Sequence, residues 1–398
     1  MQISVPAGQA LAVDREIFSE KVTEEINKNP LIEVINEEIG NKIHLKDLCD
    51  EGITIIATGP LTSDFLSKEI QELTGQNKLY FYDAAAPIVT KESIDFNIAF
   101  FGNRYTQEKK KEETIEEWQE RIKKQEENEK SYINLPLNKE EYENFYNELI
   151  KAEVVTLHEF EKREIFEGCM PIEIMAKRGI DTLRFGPLKP VGFDDPRTGK
   201  RPYAIVQLRQ DDKQASIYNL VGFQTNLKFG EQKRVFGMLP GLQNAEFVKY
   251  GVMHRNTYIN SPELLDETYR LKSEKQSIYF AGQIAGVEGY VESISSGMVA
   301  ALNAVNEFNN NMKCINKSLK NDPVQNKKII FSENTVIGSL AKYISTPNSK
   351  FQPMNANFGI LPELEGKKIK DKKKRYELLA ERSLKEINNK DDKNNESE

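Results

Sequence analysis

Three short stretches hold the residue types best suited to chemistry. The first is Phe166-Glu167-Gly168-Cys169-Met170-Pro171-Ile172-Glu173. Gly168 and Pro171 place Cys169 on a constrained turn outside any helix, where a thiolate can be presented. A lone cysteine can equally be a small buried hydrophobe, and the residues alone leave both readings open. Cys49 and Cys314 have no such setting. The second stretch runs from Ile278 to Ser293, where an apolar strand enters a turn carrying Gly282, Gly286 and Gly289 and a helix begins behind it. Glycines let backbone approach a ligand closely, and a helix N-terminus offers N–H groups and a positive dipole end to an anion or an electron-rich ring edge. A tight strand-to-helix connection with no ligand is the alternative. Thr58-Gly59, after the apolar run Ile53 to Ala57, is a weaker turn of the same kind. The third stretch, Asp195 to Pro202, is a turn bearing Arg197, Lys200 and Arg201. With Arg184, Lys189 and Arg209 nearby it could track a phosphate backbone, or it could be a solvated loop. His44, His158 and His254 show no metal-ligand spacing, so no metal is expected.

The elements that must position these stretches alternate between strand and helix. Asp14 is a good N-cap, and Phe18, Val22 and Ile26 predict a helix ending near Asn29-Pro30. Strands are expected over Leu31 to Asn36 and Gly52 to Ala57. A helix is then expected from about Ser63, with Phe65, Leu66, Ile70 and Leu73 on one face and Gly75 just past its end. Strand, Gly turn and helix is the unit that brings ligands to the carboxyl end of a parallel sheet. Leu79 to Tyr82 reads as a strand, Gln107 to Lys130 as a charge-dense peripheral helix, and Asn138 to Ile150 as a helix. Phe166 to Pro262, with β-type runs such as Tyr203 to Leu208, reads as an inserted α+β domain. A helix is expected over Tyr290 to Phe308, an Asn/Lys-rich linker over Asn309 to Lys328, and further helices over Thr335 to Ile344 and Tyr376 to Ile387.

The chain has 398 residues, long enough for two ordinary domains. No apolar run approaches the ~18 residues of a membrane span. No signal peptide is visible at Met1-Gln2-Ile3-Ser4-Val5-Pro6, and three widely spaced cysteines make no disulfide framework. A reduced, cytoplasmic compartment is the expectation. Net charge is −7, which disfavours indiscriminate polyanion binding. Locally the balance differs. Arg184 to Arg234 holds ten basic and five acidic residues, a charge of +5, and Lys367 to Arg375 holds seven basic residues and one Asp.

Longer motifs point further. Val5-Pro6-Ala7-Gly8, Ala57 to Ser63, Tyr82 to Val89, Phe166 to Glu173, Leu183 to Val191, Asp195 to Tyr203, Tyr218 to Leu227, Gly251 to Thr257, Phe280 to Ser293 and Phe351 to Gly359 together resemble one family. It is that of the methylenetetrahydrofolate-dependent tRNA (uracil-5-)-methyltransferases (TrmFO), FAD-dependent and related to the GidA-type tRNA-modifying flavoproteins. The resemblance implies an α/β fold: an incomplete Rossmann-type FAD-binding domain, similar to GidA and glutathione reductase, with an inserted α+β domain. The expected domains are 1–80 and 270–310 for FAD, 81–269 for substrate and RNA, and 311–398 as linker and C-terminal helical segment. It implies that a methylene from 5,10-methylenetetrahydrofolate reaches C5 of a T-loop uridine of tRNA by way of reduced FAD, with NAD(P)H as reductant. Uracil C5 becomes nucleophilic when a thiolate adds at C6, and Cys169 stands in the family's Gly-Cys-Met-Pro motif. The flavin site would use Gly59, Gly282, Gln283, Gly286, Gly289, Tyr290 and Glu292. The RNA would meet Arg184, Lys189, Arg197, Lys200 and Arg201. A monomer is expected.

The sequence also departs from the family. Family members open on a strand and a Gly-x-Gly-x-x-Gly turn for the FAD pyrophosphate, followed by a second cysteine in a Cys-Ser-Asn motif, and neither is in this sequence. Leu135 stands where the family often has cysteine. Two readings therefore remain: an enzyme that needs the absent first βαβ unit, or an RNA-binding remnant without flavin. Ribosomal RNA is an alternative substrate.

Overall fold

A computed structural model of the chain describes residues 3–5, 12–76, 79–102, 114, 117, 120, 132–155, 170–272, 276–317, 328–349, 351–366 and 369–395. Its strands are β1 (Ser4–Val5), β2 (Ala12–Val13), β3 (Thr54–Ile56), β4 (Leu79–Ala84), β5 (Ile88–Thr90), β6 (Phe100–Phe101), β7 (Tyr132–Leu137), β8 (Ala204–Gln210), β9 (Ile217–Leu220), β10 (Phe247–Lys249), β11 (Met253–Tyr258) and β12 (Ile278–Phe280). Its helices are α1 (Arg15–Lys28), α2 (Leu45–Glu51), α3 (Asp64–Thr74), α4 (Lys139–Lys151), α5 (Ile172–Ala176), α6 (Thr182–Phe185), α7 (Phe229–Phe236), α8 (Ser261–Leu264), α9 (Tyr290–Lys317), α10 (Val336–Ser345) and α11 (Lys372–Asn395). They group into two units, Met1–Ile35 with Tyr82–His254, and Asn36–Phe81 with Arg255–Glu398. The first 35 residues thus group with the middle of the chain, and the C-terminal segment groups with Asn36–Phe81.

In the first unit, an antiparallel sheet of order β10-β5-β9-β8-β7-β6 forms the frame. Alternating residues set its register: Ile133, Leu135 and Leu137 of β7 lie opposite Leu208, Val206 and Ala204 of β8, and all six are fully buried. Onto this face pack Tyr142, Phe145 and Leu149, the i, i+3, i+7 stripe of α4. Asn138 starts that helix with a capping box: its side chain accepts from the Glu141 N–H and Glu141 accepts from the Asn138 N–H. Leu135 has a purely structural setting there, at the centre of the core.

In the second unit, β3 and β12 run parallel, with Thr54, Ile55 and Ile56 opposite Ile278, Tyr279 and Phe280. The other edge of β12 is closed by Tyr269–Leu271, through Leu271 N–H to Ile278 O (2.7 Å) and Phe280 N–H to Tyr269 O (3.0 Å). Glu307 fastens α9 to this strand pair. Its carboxylate accepts from Arg270 Nη2 (3.0 Å), Ser277 Oγ (2.7 Å) and the Tyr279 hydroxyl (2.7 Å). Val291, Ile294, Met298, Leu302, Val305, Phe308 and Met312 form an exposed stripe along α9, at spacings of three and four. Ile55 on β3 is exposed too, and Ile53, Ile55, Ala304, Val305 and Phe308 line a groove of about 610 Å³.

Several expected elements differ. Leu31 to Asn36 forms no strand. It leaves a turn at Leu31 and pairs with no strand, with Leu31 92% exposed, because β-propensity without a neighbouring strand has nothing to bond. Helix α9 continues to Lys317, well into the expected linker. Helix α11 starts at Lys372 and runs to Asn395. The expected helix over 107–130 lies almost wholly outside the described residues.

Candidate functional site

Because β3 and β12 are parallel and in register, both leave the sheet at the same end. The Ala57-Thr58-Gly59 and Ala281-Gly282-Gln283 turns are therefore brought together at the carboxyl ends of neighbouring strands, the position where open α/β sheets bind ligands. The two turns stand about 220 residues apart in sequence, and only the pairing unites them.

The glycines in these turns divide into two kinds. Gly59 has φ +72° with open space where a side chain would stand, and Gly282 has φ +73° with its nearest neighbour Ser293 at 3.7 Å from an added Cβ. Both combine left-handed backbone with room for a ligand. Gly286 (φ +77°) instead makes way for the Phe351 ring, which an added Cβ would meet at 2.6 Å. Gly289 makes way for the Glu292 carboxylate. That carboxylate accepts from the Ala356 N–H (3.1 Å), and Gln283 Nε2 donates to Glu288 (2.9 Å). The turn is further stitched to the tail by Met354 N–H to Gly286 O and Glu288 N–H to Met354 O, both 2.9 Å. Phe351 and Met354 are thus a wall of this site. Reading strand, turn and helix alone misses them, and their only sequence signal is the Phe351 to Gly359 motif.

Tyr290, at the start of α9, is 74% exposed, with Val291 and Ile294 exposed beside it. The helix presents its positive end there, and Glu292 places a carboxylate in the same first turn. A neutral ring with hydrogen-bond acceptors fits that pairing better than a bare phosphate does.

In the first unit, Cys169 lies outside the described residues, but both ends of its segment are described. Val155 N–H donates to Asn226 O (2.8 Å) and Asn226 Nδ2 donates to Val155 O (3.0 Å). Ile172 N–H donates to Gln224 O (2.7 Å). Glu173, only 1% exposed, accepts from the Thr225 hydroxyl and from the Asn226 N–H, each at 2.8 Å. The stretch that carries Cys169 therefore springs from one loop, Gln224 to Leu227. Burial pushes the Glu173 carboxyl above its ordinary value, against the hydrogen bonds that favour its charge.

The five cations expected to meet RNA are not equivalent. Arg197 is spent within its own turn: its Nε and Nη2 bind the two oxygens of buried Asp195 at 3.0 and 2.8 Å. Burial opposes the charge on Asp195, but the Arg197 hydrogen bonds outweigh it and hold the carboxyl below its usual range. Arg184 Nε binds Asp181 (3.0 Å), and its guanidinium lies over the rings of Phe185 and Tyr203. Lys189 is exposed. Lys200 and Arg201 are exposed and make no ion pair among the described residues. Of the other groups, Cys49 is buried, and His44 Nδ1 contacts Glu69 at 2.6 Å. Among the described residues no group of His, Cys, Asp and Glu could hold a metal ion, and no helix is long and apolar enough to cross a membrane.

A sequence model of the family described as Glucose inhibited division protein A (GidA) matches residues 2–312. The fold agrees. Aquifex aeolicus GidA in its form I crystal has a TM-score of 0.55 at 14% identity, covering 86% of this chain and 58% of that one. Its form II crystal gives 0.53 at 15% identity. The two units are therefore a mixed α/β flavoprotein-family fold of the GidA type.

Nearer relatives narrow the class. The methylenetetrahydrofolate--tRNA-(uracil-5-)-methyltransferase TrmFO of Listeria monocytogenes is 52% identical over 386 residues, 96% of this chain and 79% of that protein. The enzyme of the same name from Acetivibrio thermocellus is 54% identical over 382 residues, and that from Enterococcus faecalis 52% over 384. The chain belongs to the TrmFO methyltransferases within the GidA family.

Proposed function

We propose that this chain takes part in folate-dependent methylation of uracil C5 in tRNA. The observation that carries the reading is the 52% identity to a TrmFO methyltransferase over 96% of the chain. The target is a T-loop uridine and the carbon donor 5,10-methylenetetrahydrofolate. The protein works as a cytoplasmic monomer with NAD(P)H as the source of electrons. A reduced flavin, when bound, supplies the hydride equivalent that turns a methylene into a methyl group.

The residues at the carboxyl ends of β3 and β12 fit the ring end of such a cofactor. At Gly59 and Gly282 the side-chain position is open, so a ligand can approach the backbone closely, and Tyr290 offers an exposed ring at the positive end of α9. Gln283 and Glu292 brace the turn from within, and Gly286 and Gly289 keep it closed on Phe351 and on Glu292.

On the RNA side, the Cys169 thiolate adds to uracil C6, which raises the electron density on C5 for attack on the one-carbon unit. The same thiolate leaves once C5 has lost its proton. Lys200, Arg201 and Lys189 neutralise phosphates, while Arg197 shapes the turn on which Lys200 and Arg201 sit. The test is label transfer. Supplied with FAD, NAD(P)H and 5,10-methylenetetrahydrofolate labelled in its methylene carbon, the protein is expected to place label in 5-methyluridine of unmodified tRNA. Label absent from tRNA, or found in ribosomal RNA instead, overturns the reading.

A further inference from the structure

Helix α6 ends on Phe185, which is 70% exposed, more than the other exposed phenylalanines among the described residues, Phe65, Phe96, Phe229 and Phe308. The ring is not loose. The Arg184 guanidinium lies 4.7 Å from its centroid and 4.6 Å from that of Tyr203. Asp181 holds Arg184 through Nε at 3.0 Å. Tyr203 meets Tyr142 edge to face at 5.4 Å, and Tyr142 is fully buried with its hydroxyl donated to Ile180 O. Each layer is fixed by the one beneath it, so an exposed aromatic surface is held ready at little entropic cost. Gly186 permits the sharp exit after Phe185, since an added Cβ would stand 2.9 Å from Thr182 O.

We propose that Phe185, backed by Arg184 and Tyr203, is a stacking platform for an unpaired RNA base. The inference rests on the RNA-binding reading given above and adds a residue and a recognition mode to it. Lys200 and Arg201, exposed and without ion-pair partners among the described residues, stand just before Pro202 and Tyr203. An apolar protein partner would have to strip water from those cations to reach the ring, whereas charged residues are depleted at protein interface cores. A nucleotide brings a π face for Phe185 and a phosphate for a cation in one ligand. A base inside a duplex cannot reach the ring, so the platform selects unpaired nucleotides.

The experiment compares a hairpin RNA with an unpaired loop and a fully paired duplex of equal length. Phe185→Ala is expected to weaken hairpin binding between about 5-fold and about 150-fold, the range for loss of one base–aromatic stack. Duplex affinity and the salt dependence should stay unchanged, because every phosphate keeps its cation. Phe185→Trp should restore hairpin binding and Phe185→Leu should not, which separates stacking from simple apolar contact. Unchanged hairpin affinity in Phe185→Ala, equal weakening for hairpin and duplex, or full rescue by Leu would each overturn the platform. A wild-type protein that binds neither RNA would overturn the RNA-binding reading itself, and the platform with it.

Discussion

Replacing Glu173 tests whether the loop that anchors the Cys169 segment depends on one buried carboxylate. Glu173→Ala removes the acceptor for two buried donors, the Thr225 hydroxyl and the Asn226 N–H, both at 2.8 Å. A buried donor left without a partner costs about 1–3 kcal/mol, so the pair should cost roughly 2–6 kcal/mol. For a unit of about 150–250 residues each kcal/mol lowers the melting midpoint by roughly 2–4 °C, so a fall of about 4–24 °C is expected by calorimetry. Glu173→Gln keeps an oxygen for Asn226, and the Thr225 hydroxyl can accept from the new amide, so its loss should be well below that of Ala. The pH dependence separates the two further. Burial raises the Glu173 pKa, so the folded chain holds this proton more tightly than the unfolded chain does. Its contribution is therefore complete below the unfolded carboxylate value near ~4.3 and is lost as pH rises through the higher folded value. Wild type should lose stability relative to Glu173→Gln across that window and run parallel to it above. A Glu173→Ala protein that melts with wild type would refute the anchoring role, and parallel curves at all pH values would refute the upward shift of the Glu173 pKa.

Cys169→Ala should abolish methyl transfer to tRNA while leaving any flavin absorbance unchanged, read by label incorporation and by the visible spectrum. Lys200→Ala with Arg201→Ala should lower the salt slope of RNA binding by about 0.7–0.9 for each phosphate no longer neutralised. Arg197→Ala should instead loosen the Asp195 turn and lower the melting midpoint with little change in that slope. Gly286→Ala forces a left-handed backbone on alanine and drives its Cβ into the Phe351 ring, at a cost of roughly 2 kcal/mol or more by denaturant titration. Pairing it with Phe351→Ala should recover part of that stability, and strict additivity would count against the contact. The sequence contains no Gly-x-Gly-x-x-Gly turn, so polypeptide 1–398 should lose FAD on gel filtration, and a stoichiometric flavin after the column would contradict this.

Local chemistry was readable wherever it was self-contained. Asp14, Ser63, Asn138 and Thr335 cap their helices because a short polar side chain reaches N–H groups two or three residues on, and that needs no distant partner. Gly75 ends α3 in a left-handed conformation for the same local reason. In the helix expected over Asn138 to Ile150, the spacing of Tyr142, Phe145 and Leu149 likewise marks the face that α4 buries. The motif resemblance carried the family.

What no stretch could state by itself was which parts meet. Leu31 to Ile35 has the residues of a strand and no ladder, because a strand exists only where a second one bonds to it. The stripe from Val291 to Met312 has the spacing of a buried helix face, yet it is exposed along α9, since burial depends on what lies opposite. Arg197 and Arg201 look alike in sequence. Only the fold shows Arg197 closed on Asp195 and Arg201 facing water, because a side chain's electrostatic freedom is set by neighbours at hydrogen-bond distance. The same holds for the glycines. Gly282 and Gly286 are interchangeable on paper, and the ring of Phe351, 65 residues beyond Gly286, makes one of them structural and leaves the other open.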